Sequence, residues 1–166
     1  VQSRPRIEGN PTMAMTMTGT VSLPAERQKV WDALLDPEVL KRAIPGCEEM
    51  EKKSDTEYAA KVKIAVGPIK ARFAGVVTLT DIEVPNACTI TGEGQGGIAG
   101  FAKGGAKVRL EDTPEGGTLL SYDVEANVGG KLAQLGGRLI DSVAKKFADQ
   151  FFNNFAKELT PETAAG

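Results

Sequence analysis

Acid–base chemistry in this chain would have to run without histidine, which the sequence lacks. That removes the commonest general base and metal ligand, and with it the usual serine or cysteine triad. Cys47 and Cys88 lie far apart and match no metal spacing. The acids sit in ordinary places. Asp55, Glu57, Asp112 and Glu115 flank turns, and Glu48, Glu49 and Glu51 crowd a short segment that reads as a charged edge strand. One stretch invites comparison with phosphate loops, "GEGQGGIAGFAKGG" at 92–105. It lacks the Gly-Lys-Ser/Thr ending and does not lead from a strand into a helix, so nucleotide binding is rejected. No catalytic residue, metal site or intrinsic cofactor is expected.

The remaining chemistry is apolar, and glycines point to it. "KLAQLGGRLIDSVAKKFADQFFNNF" (131–155) reads as one long helix, with Leu132, Leu135, Leu139, Ile140, Val143, Phe147, Phe151 and Phe155 along one stripe. Gly136 and Gly137 interrupt it, although a helix-interior glycine costs about 1 kcal/mol relative to alanine. By spacing, Gly136 falls on the stripe. Its missing side chain either lets the helix approach a sheet closely or leaves a space. Gly75, Gly92 and Gly94 fall on inward positions of strands by alternation. Absent side chains on two facing elements predict a cavity. Its expected lining is Phe73, Val77, Ile90, Gly92, Phe101, Tyr122, Leu135, Gly136, Leu139 and Val143, with the Tyr122 hydroxyl as a polar handle.

The elements that would position these residues follow from periodicity. "MTMTGTVSL" (15–23) alternates as a strand with one wet face. Two short helices follow, "AERQKVWDALL" and "PEVLKRAI", divided by Pro37 and ended by Pro45-Gly46. Six further strands are predicted: "CEEMEK", "EYAAKVKIAV", "IKARFAGVVTL", "ACTITGEG", "FAKGGAKVRLED" and "TLLSYDVEANV". The class is α+β, a curved seven-stranded antiparallel sheet with a long C-terminal helix across one face. Phe152 lies off the helix stripe, and so packs beneath a loop or marks an exposed contact.

With 166 residues, 41% hydrophobic and net charge −2, the chain is expected to be one globular domain with no pull toward nucleic acid. Residues 1–12 read as a vector-derived tail, 13–160 as the domain and 161–166 as a short tail. No spanning segment or signal peptide is evident, and a reduced, cytoplasmic setting is expected. In the hairpin "AKVKIAVGPIKARF", Lys63 should face Arg72, with Lys61 and Lys70 nearby and no acid within the hairpin. This basic patch is a candidate contact for an anionic membrane or an acidic partner.

Several segments together carry a family resemblance: "DPEVLKRAIPGCE", "VGPIKARFAGVVTLTD", "GEGQGGIAGFAKGGAKVRL", "VGGKLAQLGGRLID" and "ADQFF". From Met15 to Leu159 the chain resembles the carbon monoxide dehydrogenase CoxG family, within the START-like (SRPBCC) superfamily. The resemblance implies a helix-grip fold enclosing a hydrophobic cavity. It implies a non-enzymatic accessory protein of a molybdenum hydroxylase, holding a respiratory quinone or other lipid-like ligand and linking the enzyme to the inner face of the cytoplasmic membrane. Longer members carry a C-terminal membrane-binding extension. This chain ends at "TPETAAG", so transient contact is expected rather than stable anchoring. The alternative is a ligand-free recruitment or maturation factor for the same enzyme.

Overall fold

The computed structural model describes residues 12–159; the expected tails at 1–11 and 160–166 lie outside the described residues. Strand β1 (Thr12–Leu23) is followed by helices α1 (Arg27–Leu34) and α2 (Pro37–Ala43). Then come β2 (Cys47–Lys52), β3 (Glu57–Val66), β4 (Ile69–Glu83), β5 (Ala87–Gln95), β6 (Phe101–Asp112) and β7 (Thr118–Gly129). Helix α3 (Gly137–Leu159) closes the fold. The seven strands form one antiparallel sheet in the order β1-β7-β6-β5-β4-β3-β2. Consecutive strands from β2 to β7 are neighbours, so short turns suffice, and only β1 must travel to the far edge through the two short helices. β1 begins at Thr12, which pairs with Gly129, so the sheet takes up the last residue of the expected tail.

Local chemistry sets the breaks. Asp36 caps α2 by accepting a hydrogen bond from the Glu38 amide at 2.9 Å, with Pro37 in the first turn. At the other end Gly46 takes φ +79°, and the Lys63 amide donates to its carbonyl at 2.9 Å. A side chain at Gly46 would run into the Lys63 carbonyl. The turn therefore both stops α2 and pins it to β3.

The expected single helix from Lys131 is two elements. Gly130–Leu135 forms a tight 3₁₀ segment, Gly136 adopts φ +94° and ψ 152°, and α3 starts only at Gly137. The Gly136 carbonyl accepts the first α-helical bond, from Ile140 at 3.1 Å. The paired glycines thus sit at a junction, not in a helix interior, and the helix-interior cost does not arise.

The core divides into two clusters. The first joins Leu23, Val30, Trp31, Ala43, Val108, Leu110, Leu120, Phe155 and Leu159, where α1, α2 and the end of α3 meet the sheet. Asn154 donates to the Ala43 carbonyl at 3.1 Å and Arg42 pairs with Glu158 at 2.8 Å, which fixes α2 on α3. Thr118 is fully buried and donates to the Ala25 carbonyl at 2.7 Å, holding the chain between β1 and α1. The second cluster joins Val66, Phe73, Ala99, Val128, Leu132 and Ile140 at the opposite end of the sheet.

Two substitutions test this account by chemical denaturation. Gly136→Ala is expected to cost about 1–3 kcal/mol, because only glycine holds that backbone conformation readily, even though no atom lies within 4 Å of the added methyl group. Thr118→Val is expected to cost about 1–3 kcal/mol by leaving the Ala25 carbonyl without its partner.

Candidate functional site

Between the two clusters the inner face of the sheet changes character. Gly75 and Val77 on β4, Gly92 and Gly94 on β5, Gly104 and Ala106 on β6, and Val124 and Ala126 on β7 all remain half-buried. The register aligns them across the sheet: Val77 opposite Gly92, Gly75 opposite Gly94, Gly92 opposite Gly104, and Gly104 opposite Ala126. A band dominated by small residues therefore crosses the inner face of the sheet.

The glycines of the band differ in what demands them. A side chain at Gly104 would meet the Glu125 carbonyl, so close strand packing requires glycine there. Gly92 and Gly94 are different. A Cβ at Gly92 would lie 3.6 Å from Val77 Cγ2, and one at Gly94 would lie 3.9 Å from Phe73 Cβ, both ordinary contacts. Neither glycine has a left-handed backbone.

The sequence-derived lining distributes around this band. Phe73 belongs to the second cluster, and Leu135, Leu139 and Val143 pack against it. Ile90 and Tyr122 pack against the first. Val77 and Gly92 lie between. Phe101 is placed on the other face of the sheet: it pairs with Gly129, one residue past the inward Val128, and its ring covers that glycine. Gly136 lies at the helix junction instead of on the α3 stripe.

Tyr122 has neighbours that periodicity did not reveal. Its ring lies across Gly19, its partner on β1, where an added Cβ would stand 2.5 Å from the hydroxyl oxygen. Its other side stacks on Phe152, with centroids 5.4 Å apart and planes at 21°. Phe152 meets Phe151 edge-on at 5.0 Å, and Phe151 stacks on Phe155 at 5.6 Å. Phe152 is therefore the link between the helix and Tyr122. The strand alternation that puts Gly19 inward carried a signal for this large–small pair. Among the described residues the Tyr122 hydroxyl makes no hydrogen bond. Tyr58, by contrast, donates to the Leu35 carbonyl at 2.6 Å.

Neither cysteine is activated as a nucleophile. Burial pushes the Cys88 thiol up, and burial does the same at Cys47, which donates to the Glu49 carbonyl at 3.3 Å. A raised thiol pKa means little thiolate near neutral pH. Among the described residues no cluster of acids and cysteines could hold a metal ion.

The basic hairpin has the expected register, Lys63 opposite Arg72, but not the expected isolation. Strand β2 lies alongside, and Glu48 accepts a hydrogen bond from Arg72 Nε at 2.8 Å while Glu49 lies 3.8 Å from Lys61 Nζ. The acids read as edge protection therefore neutralise part of the patch. Two depressions are open at the surface. One, of about 390 Å³, is lined by Gly92 and Gly104 of the band together with the outward Val76, Glu93, Lys103 and Asn127. The other, of about 540 Å³, lies among the loops near Pro24 and Gly116. Both are open to solvent and lack the apolar enclosure of a ligand cavity.

A family model for CoxG of carbon monoxide dehydrogenase matches residues 19–160. A conserved protein from Geobacillus kaustophilus is similar at 30% identity and TM-score 0.82, covering 87% of this chain and 95% of its own. A START superfamily protein from Mycobacterium smegmatis shares the fold at 13% identity and TM-score 0.65, covering 91% and 97%. So does the Zhui aromatase/cyclase from Streptomyces sp. R1128, at 13% identity and TM-score 0.61, covering 89% and 94%. No curated protein matches the sequence.

The Arg72 hydrogen bond holds the Glu48 carboxyl below its ordinary value of 4.5, and Glu48 in turn raises Arg72. With the folded value depressed, the contribution of this pair is present above 4.5 and is lost as pH falls through the folded value. Both partners are exposed, so the effect on stability is small. Carboxyl-carbon NMR titration should give a Glu48 midpoint below 4.5, returning toward 4.5 in Arg72→Gln.

Proposed function

Because this chain belongs to the carbon monoxide dehydrogenase CoxG family, we propose that it is a non-catalytic carrier serving a molybdenum hydroxylase of the carbon monoxide dehydrogenase type. Its cargo is an apolar molecule with one polar end, a respiratory quinone, held between the sheet and α3. Cargo exchange links the enzyme to the inner face of the cytoplasmic membrane. Among the described residues no helix is long and apolar enough to cross a membrane.

The observation that carries the reading is the pair Gly92 and Gly94. Neither backbone conformation nor crowding requires glycine at these two inward positions. The volume they give up is therefore available to a guest. Burying a guest there gains roughly 25 cal/mol for each Å² of apolar surface removed from water. Tyr122 stacks on Phe152 and has no hydrogen-bond partner among the described residues, which supports a role as donor to a quinone carbonyl. An apolar enclosure with a single convergent polar group would fit the pattern of small-molecule sites.

Native mass spectrometry with a short-chain ubiquinone or menaquinone analogue tests this. The expected result is a saturable one-to-one complex. Gly92→Leu should abolish it, and Gly92→Ala, whose Cβ meets only ordinary contacts, should weaken it while leaving the melting temperature nearly unchanged. Tyr122→Phe should weaken uptake about 5–10-fold, the worth of about one hydrogen bond. Gly136→Leu is a poor probe, since its backbone strain would obscure any effect on the cavity. Absence of uptake by the wild type, with the hydroxylase still captured, would establish ligand-free recruitment instead.

A further inference from the structure

Three segments meet at the end of the sheet where α3 begins. They are the β3–β4 turn at Gly67-Pro68, the loop from Gly96 to Gly100, and the stretch from Gly130 to Gly137. Their contacts are direct. A Cβ at Gly67 would lie 3.2 Å from Leu139 Cδ2, Gly96 lies against the Phe73 ring, and Gly100 lies against Gly129 and Gly130. Ala99, Leu132 and Ile140 pack with Val66 and Phe73 beneath them.

At the tip of the central loop Ile98 is 84% exposed, the most exposed of the four large hydrophobic residues that stand out to solvent. The loop is a 3₁₀ turn between Gly97 at φ +63° and Gly100 at φ +119°, so the backbone thrusts the isoleucine outward. The same three segments contain no acid. Residues 64–75, 94–102 and 126–140 hold neither Asp nor Glu. Lys70, Lys131 and Arg138 are exposed there, and none has an ion-pair partner among the described residues. Asp141, exposed one turn beyond Arg138, is the acid nearest to it in sequence. Glu48 and Glu49 are engaged with Arg72 and Lys61 on the flank.

We propose that this end of the molecule, with Ile98 at the tip of its central loop and Lys70, Lys131 and Arg138 on or beside its three segments, is a docking surface for an anionic lipid bilayer. An exposed aliphatic side chain with unpaired cations on the neighbouring segments matches such a surface in both respects: the isoleucine enters the headgroup region and the cations meet the phosphates. An acidic protein would satisfy the cations but would gain little from a lone isoleucine projecting on a glycine loop. The surface also lies at one end of the band of small residues, next to Leu135 and Leu139, so a molecule leaving the membrane would have a short path inward. The inference rests on the carrier reading for its purpose, but not for its residues. It keeps Lys70 of the expected hairpin patch and replaces Lys61 and Arg72, which β2 neutralises, with residues of the glycine-loop end.

Vesicle co-sedimentation decides it. Wild-type protein should bind vesicles of phosphatidylcholine and phosphatidylglycerol in equal amounts, and bind phosphatidylcholine vesicles far less. Ile98→Asp should weaken binding roughly tenfold or more. Each of Lys70→Gln, Lys131→Gln and Arg138→Gln should cost about fivefold at low salt. Lys61→Gln, already paired with Glu49, should change little. All these side chains are exposed, and circular dichroism melts should confirm an unchanged fold. Equal binding by wild type and Ile98→Asp would overturn the proposal. So would vesicle binding that is absent in the wild type, or a loss confined to capture of the hydroxylase. Quinone-analogue uptake in vesicle-free solution should be unchanged in Ile98→Asp. Loss of uptake in the wild type would sink the carrier reading separately, without touching the vesicle result.

Discussion

A long helix laid across a concave sheet can be packed tightly along its whole length only if the sheet supplies side chains of the right reach at every crossing. Here it does so at two places. Near the end of α3, Leu110, Leu120 and Trp31 surround Phe155, which has no exposed surface. Near its start, Val66, Phe73 and Val128 take up Leu132 and Ile140. Between them, the inner face of β4 to β7 carries mostly glycine and alanine, with Val77 and Val124. The strands there still pair in unbroken register, because hydrogen bonding along the ladder does not depend on side-chain size. Backbone order and interior packing are thus separable. The fold keeps the first across the band of small residues.

Stability consequently belongs to the two ends. The first cluster is locked by polar contacts as well as apolar burial: Thr118 to Ala25, Asn154 to Ala43, and Arg42 to Glu158. The second is held by glycine-dependent turns. Gly100 lies against Gly129 and Gly130, and Gly136 turns the chain into α3. The aromatic ladder Tyr122, Phe152, Phe151 and Phe155 joins β7 to α3 within the first cluster.

Charge follows the same division. The β2 edge carries Glu48, Glu49 and Glu51, which suits an edge strand that must not pair with others. Two of these acids turn toward the neighbouring hairpin and take up Arg72 and Lys61. The glycine-loop end receives no such compensation. The hairpin taken alone has the right register and the wrong electrostatics, because the neutralising residues come from a strand that is separate in sequence and adjacent only in space.

Much of the architecture was legible in residue order. Alternation in "TLLSYDVEANV" and "IKARFAGVVTL" reports a two-residue period that any sheet must obey, so the inward sets on β4 and β7 could be read directly. The Pro37 and Pro45-Gly46 punctuation fixed the two short helices, because proline and glycine act on the local backbone whatever surrounds them. The family resemblance rests on several such segments at once. Tertiary structure decided what was not local. Gly136 matches a helical stripe by spacing, yet its backbone leaves the helical region, since the preceding residues close a 3₁₀ segment against Ala99 and Val128. Phe101 begins β6, and only its pairing with Gly129 shows which face it takes. Whether a glycine marks crowding or room cannot be read from the letter G. Gly104 and Gly92 face each other across one ladder step, and only the approach of Glu125 to the first and the clearance around the second tell them apart.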